Sequence, residues 1–140
     1  MMRRHRSEAG QSLVEFSLSF IVFMMLVLGV VEVGRAVWSY NALAEVAREG
    51  TRYAIVHGGK SSAPSGPTAN DVAVRTAAAK YAGALKQNNL TVTSSWPDGN
   101  NQPGSRVTVS TTYSFHPMFS GMLGIGAFTL TSSSTMNITN

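Results

Sequence analysis

Near the start of the chain a small residue, Gly10, is followed by Gln11-Ser12-Leu13-Val14-Glu15 and then by an uncharged, mostly apolar run from Phe16 to Val31. Arg3, Arg4 and Arg6 precede it. The chemistry available to these residues is cleavage of a peptide bond followed by charge pairing. A carboxylate at the lip of a membrane helix costs roughly 3 kcal/mol on insertion scales, so Glu15 needs a reason to be there. Cutting after Gly10 supplies one. The new amine on Gln11 would lie four residues before Glu15, one helical turn away, where a cation and an anion pair.

Gly10, Glu15, Phe16 and the apolar run together resemble a class III prepilin signal, which a prepilin peptidase cuts on the cytoplasmic side of the membrane. Further on, Ala47-Arg48-Glu49-Gly50-Thr51-Arg52-Tyr53-Ala54 resembles the A-R-x-G-x-R-x-A stretch of the TadE family, pilin-like minor subunits of the tight-adherence (Flp, type IVc) pilus machinery. A strand-rich tail also fits that family. Gln11 departs from the pattern, because Phe is common at the first mature position of related pilins. The resemblance implies a minor pilin or pseudopilin in pilus assembly, with cleavage between Gly10 and Gln11 and an assembly charge on Glu15 beside Phe16. It also implies a prepilin peptidase, other pilin-like subunits and Tad inner-membrane assembly proteins as partners.

The element that must position these residues is the apolar helix. From Leu13 to Glu32 there are twenty residues, which at about 1.5 Å each cross ~30 Å of hydrocarbon. The leader arginines outnumber the single Arg35 behind the span, so the positive-inside rule puts the N-terminus in the cytoplasm and residues 39–140 outside, in a single-pass protein of the cytoplasmic membrane. Gly34-Arg35-Ala36 has the small-residue spacing of a secretory cleavage site, but Glu32 and Arg35 sit at that site and helical patterning continues past it. Arg3-Arg4 lacks the rest of a twin-arginine motif and reads as topological charge.

Composition narrows the function classes. The leader carries three arginines and one glutamate, so its removal lowers the net charge from +4 to +2. No Lys/Arg-rich stretch with interleaved aromatics lies outside it, which removes the footprint of a nucleic-acid binder. With no cysteine, a lipoprotein anchor, disulfides and thiolate metal sites are excluded. His57 and His116 have no carboxylate or second histidine at ligand spacing, so no catalytic group, metal or cofactor is expected. Gly59-Lys60-Ser61 and Gly124-Ile125-Gly126 lack the context of phosphate loops, and the sequons at Asn89 and Asn137 read as strand residues.

The organisation expected is a leader (1–10), a transmembrane helix (11–36), its extracytoplasmic extension (37–57), a linker (58–68) and an α+β domain (69–140). The first helix should run to about Val56, with Val37, Tyr40, Leu43, Ala44, Ala47 and Ala54 as a packing stripe. A second helix should start at a cap on Thr68 or Asn70, with Asp71 in its first turn, Val72 to Leu85 supplying an apolar face, and Lys80 and Lys86 near its end. Alternation predicts strands over Leu90–Trp96, Val107–Phe115 and Phe128–Ile138. The turn-rich segment Pro97–Gly104 makes the first two a hairpin. The fold class is thus α+β and pilin-like: a long N-terminal transmembrane helix, a second helix covering one face of a small three-stranded antiparallel sheet. The apolar segment Met118–Phe128 either folds back as core or forms a contact surface for a partner subunit or the bilayer, with Met122, Leu123 and Ile125 as its contact residues. Two other classes stay open at this level. A membrane-anchored extracytoplasmic binding module would need no processing at Gly10, and an anchored hydrolase would need a catalytic group that the sequence does not offer.

Overall fold

The computed structural model describes residues 5–68 and 70–140. Arg3 and Arg4 of the expected leader lie outside the described residues. The helix α1 spans His5–Val56 without a break. No proline occurs before Pro64, and isolated glycines at 10, 29, 34 and 50 each cost only about 1 kcal/mol relative to alanine. It ends where His57-Gly58-Gly59 was expected to stop it. The carbonyls orphaned at a helix C-terminus need donors. Here the last residues of the chain supply them: the Thr139 and Asn140 backbone N–H groups donate to the Ile55 carbonyl at 3.0 and 3.3 Å, and Thr139 Oγ1 donates to it at 3.1 Å.

α1 meets two environments. Its N-terminal apolar stretch has a window of mean hydropathy 2.4 in which nothing is buried, so its side chains point outward on every face. It is long and apolar enough to cross a membrane, consistent with a single-pass membrane protein. From Glu32 onward one face is covered. That face runs through Glu32, Ala36, Ser39, Leu43, Val46, Ala47, Gly50, Thr51 and Ala54, at steps of three and four. Leu43, Ala47 and Ala54 were expected on it, but Val37 and Tyr40 are about half exposed and lie off it. Val37 follows Ala36 by one residue, about 100° around the helix, which turns it out of the covered arc.

Three strands follow: β1 (Leu90–Ser95), β2 (Arg106–Phe115) and β3 (Phe128–Asn137). They form an antiparallel meander in sequence order, with Leu90 opposite Tyr113 and Phe115 opposite Phe128. The alternation read from the sequence sets the faces. Val92, Val107, Val109, Tyr113 and Phe115 are buried, while the outer face is almost wholly Ser and Thr. β2 runs antiparallel to α1, so Thr111 Oγ1 lies 3.1 Å from the Leu43 carbonyl and Phe115 meets Arg35.

The second helix, α2 (Val72–Ala79), is shorter than expected and covers less. α1 covers β2 and β3, whereas α2 fills the space between α1 and β1. Its cap is Asp71, whose carboxylate accepts from the Ala73 and Val74 N–H groups at 2.8 and 3.1 Å. Asn70 has φ of 60°, a left-handed conformation unlike the extended backbone of a cap, and so precedes the helix. Beyond Ala79 the chain turns through Gly83, whose φ of 57° no α-helix holds, so Ala82 and Leu85 enter the core from turns and Lys86 is not at the helix end. Val72 and Tyr81, expected on the apolar face, are exposed. Residues 58–68 form a loop, as their composition predicts, yet Ser65 is buried and its N–H and Oγ donate to the His57 carbonyl at 2.6 and 3.1 Å.

Gly50 sits at the tightest point. A Cβ there would lie 2.9 Å from Ala78 Cβ and 3.1 Å from Val109 Cγ1, so α1, α2 and β2 converge on a residue without a side chain. Gly50→Val should therefore cost about 1–3 kcal/mol by overpacking. Arg48→Ala, at an exposed position, should stay within about 0.5 kcal/mol. Thermal unfolding of the full chain in detergent checks this, and equal melting shifts for the two variants would refute the close approach.

The β1–β2 connection is closed by charge. Asp98 accepts from the Arg106 backbone N–H and from its Nη2, both at 2.7 Å. Hydrogen bonds from the Arg106 side chain, then from its backbone, hold the Asp98 carboxyl below the usual carboxylate value of 3.8. A carboxyl depressed on folding contributes stability that is present above that value and lost as pH falls through the lower, folded one. Asp98→Asn should thus flatten the fall in melting temperature between neutral pH and about pH 3. An unchanged acid slope would show that the pair contributes nothing.

Candidate functional site

Gly10, Gln11, Glu15 and Phe16 lie within the exposed part of α1. Beyond its own stretch of helix, nothing packs within 4 Å of where a Gly10 side chain would begin. Gln11 and Glu15 are four apart on a continuous helix, which puts their Cβ atoms about 6 Å apart on one face. The Glu15 carboxylate is exposed and makes no ion pair among the described residues. Phe16 stacks on Phe20 with ring centroids 6.0 Å apart. Ser17 returns its hydroxyl to the Leu13 carbonyl at 2.7 Å, which satisfies a polar group inside the apolar stretch.

The motif Ala47–Ala54 divides by face. Ala47, Gly50, Thr51 and Ala54 are buried and face the sheet and α2, where Thr51 Oγ1 lies 2.7 Å from the Ala47 carbonyl and 3.2 Å from that of Ser134. Arg48 and Arg52 point to solvent and pair at i,i+3 with Glu45 and Glu49. Its small residues therefore serve packing, while its charges form an exposed row.

Glu32, read from sequence only as a polar lip of the span, is the most constrained charge among the described residues. It is 5% exposed. Its Oε1 accepts from the backbone N–H groups of Met118 and Phe119 at 2.6 and 3.0 Å, and its Oε2 from Arg35 Nη1 at 2.6 Å. Arg35 in turn stands 5.3 Å from the Phe115 ring centroid. A buried carboxylate is tolerated when donors replace its lost water, and here there are three. The available signal was Glu32 and Arg35 at i,i+3 in an otherwise apolar stretch, in phase with Ala36, Ser39 and Leu43. What no local pattern could give was the partner, 86 residues away.

That partner begins the segment Met118–Phe128. It is not core. It contains a single helical turn, α3 (Ser120–Leu123), closed by Gly124 at φ of 65°. Met118, Met122 and Ile125 are 70%, 55% and 46% exposed, Phe128 is 40% exposed, and Leu123 is partly buried. The core alternative fails because the inner face of the sheet is already filled by α1, which leaves the β2–β3 connection outside. A cavity of about 200 Å³ lined by Gly29, Val33, Ala36, Phe115, Ile125 and Phe128 separates it from the helix.

Neither His57 nor His116 contacts a carboxylate among the described residues. His57 stacks on Tyr53 at 3.9 Å between centroids, and exposed His116 places Nδ1 3.0 Å from the Ser114 carbonyl. Among the described residues no three His, Asp or Glu side chains are grouped to hold a metal.

A long helix, apolar and exposed over its first half, then packed with a short helix on one face of an antiparallel meander, is a pilin-like α+β arrangement. The family model described as TadE-like protein matches residues 10–52, so the N-terminal region, from the residue before the expected cut to the second arginine of the helical motif, is TadE-like and points to a role related to the Tad pilus. No curated protein and no solved structure matches the chain.

Removing the Glu32 carboxylate should release the segment it holds. An unpaired buried donor costs about 1–3 kcal/mol, so amide hydrogen exchange at Met118 and Phe119 should quicken about tenfold or more in Glu32→Ala. Glu32→Gln keeps an acceptor oxygen and should retain much of the protection. Exchange unchanged in Glu32→Ala would show that the segment is held by other contacts.

Proposed function

We propose that the chain is a minor pilin or pseudopilin that takes part in assembling a tight-adherence, Flp-type pilus. The observation that carries this reading is the TadE-like match beginning at Gly10 and running through the apolar span into the Ala47–Ala54 motif. In this reading a prepilin peptidase removes residues 1–10 on the cytoplasmic side, α1 holds the protein in the cytoplasmic membrane with residues 39–140 outside, and Phe16 and its apolar neighbours face lipid or neighbouring pilin-like subunits. The new Gln11 amine pairs with Glu15 of its own chain or of a neighbour. Tad inner-membrane assembly proteins receive it, and its role is that of a subunit, not an enzyme. The lack of any packed neighbour at Gly10 and the exposed Glu15 carboxylate support both steps.

Mass spectrometry of the protein from native membranes should give an N-terminus at Gln11, and Gly10→Val should keep the leader. A mature start at Met1, Met2 or near Val37 would overturn the reading. In the same cells Glu15→Gln should deplete pili while leaving the membrane level of the protein unchanged, because truncating one partner of a buried pair costs about 3–5 kcal/mol. Normal piliation would remove Glu15 from the mechanism.

A further inference from the structure

We propose that the β2–β3 connection, Met118–Phe128, is a membrane foot that lies in the headgroup and upper acyl region of the bilayer beside α1, with Glu32 as the clamp that sets its depth. The depth follows from the helix. Twenty residues from Leu13 to Glu32 cover about 30 Å, the thickness of the hydrocarbon core, so Glu32 stands at the membrane boundary when the apolar stretch is immersed. Its two hydrogen bonds to backbone N–H groups hold Met118 and Phe119 at that same level.

The chemistry of the segment suits that depth. Met118, Met122, Ile125 and Phe128 are exposed, and no charged residue occurs from Pro117 to Asn140. The backbone N–H groups of Met122, Leu123 and Gly124 are satisfied within the turn, by Phe119 and Ser120 carbonyls at 2.9–3.0 Å, which lowers the cost of placing the tip in the headgroup and upper acyl region. Ile125 and Phe128 share an apolar-lined cavity with Gly29 and Val33 of the span, which makes the foot continuous with the surface already facing hydrocarbon. Just beyond Glu32, the exposed Trp38 and Tyr40 stand where interfacial aromatic residues sit. Lys86, His116 and Arg35, the last already paired with Glu32, line a cavity of about 240 Å³ at the same end of the sheet. A protein partner would account for the exposed apolar side chains, but not for their being held beside Glu32, at the level where the apolar span ends. The proposal needs only that α1 spans a bilayer, and holds whether or not the protein serves a pilus.

The chain has no cysteine, so Met122→Cys and, on the open face of the sheet, Ser133→Cys each give a single site for an environment-sensitive fluorophore. The full chain is reconstituted in vesicles of phosphatidylcholine and phosphatidylglycerol. The label at position 122 should be quenched by lipids carrying a nitroxide high in the acyl chain and shielded several-fold from aqueous iodide relative to position 133, at every protein density. In a Glu32→Ala background the lipid quenching at position 122 should fall. Iodide access at position 122 equal to that at 133 would overturn the proposal, as would shielding that fades when the protein is diluted in lipid, which would assign the patch to a neighbouring subunit. Unchanged lipid quenching in Glu32→Ala would overturn the clamp.

Discussion

Gly50 brings α1 to a distance from α2 and β2 that no larger residue permits, and much of the external architecture follows from that approach. Once the helix lies so near the strand, small residues and self-satisfied hydroxyls accompany Leu43 and Val46 on the covered surfaces. Ala47, Ala54 and Ser39 are the small residues, while Thr51 and Thr111 aim their hydroxyls at the Ala47, Ser134, Leu43 and Ser132 carbonyls. Helix and sheet are thus joined by interleaved apolar and hydrogen-bonded layers. The position of α2 follows too, because Ala78 reaches Gly50 only if the short helix lies against α1 above β1.

The second constraint is that one helix serves two solvents. A stretch apolar on every face is stable in lipid without protein neighbours, whereas the following turns carry a stripe that must be covered. The change occurs at Glu32. Its carboxylate would be costly on either side of the boundary if unpaired, yet with Arg35 and two backbone donors it ties the span to the far end of the sheet. Helix ends are handled in the same way. Thr139 and Asn140 close the C-terminus of α1 at Ile55, so the sheet is tied to the helix at two places, by Glu32 just after β2 and by the Ile55 carbonyl after β3.

The described residues divide into a stretch of bare, exposed helix and a packed body whose outer sheet face is nearly all Ser and Thr. With no cysteine in the chain, the packed body holds its shape by these contacts alone.

The elements whose cause is local were legible in the sequence. Strict alternation gave three strands to within a residue or two, the absence of proline gave a single helix to Val56, and the Gly10–Phe16 signal together with Ala47–Ala54 gave the TadE-like region. Three features depended on tertiary structure. The covered stripe was misplaced at Val37 and Tyr40 because an apolar template cannot see that tertiary packing covers the face of Ser39, Leu43, Val46 and Gly50. Asp71 displaced Asn70 as cap through a backbone conformation that composition does not encode. Glu32 became the joint of the molecule through donors 86 residues away, a pairing set by how a ten-residue β2 runs back along α1. Local pattern determines which elements form; which of their faces and charges meet is decided only when the distances between them are fixed.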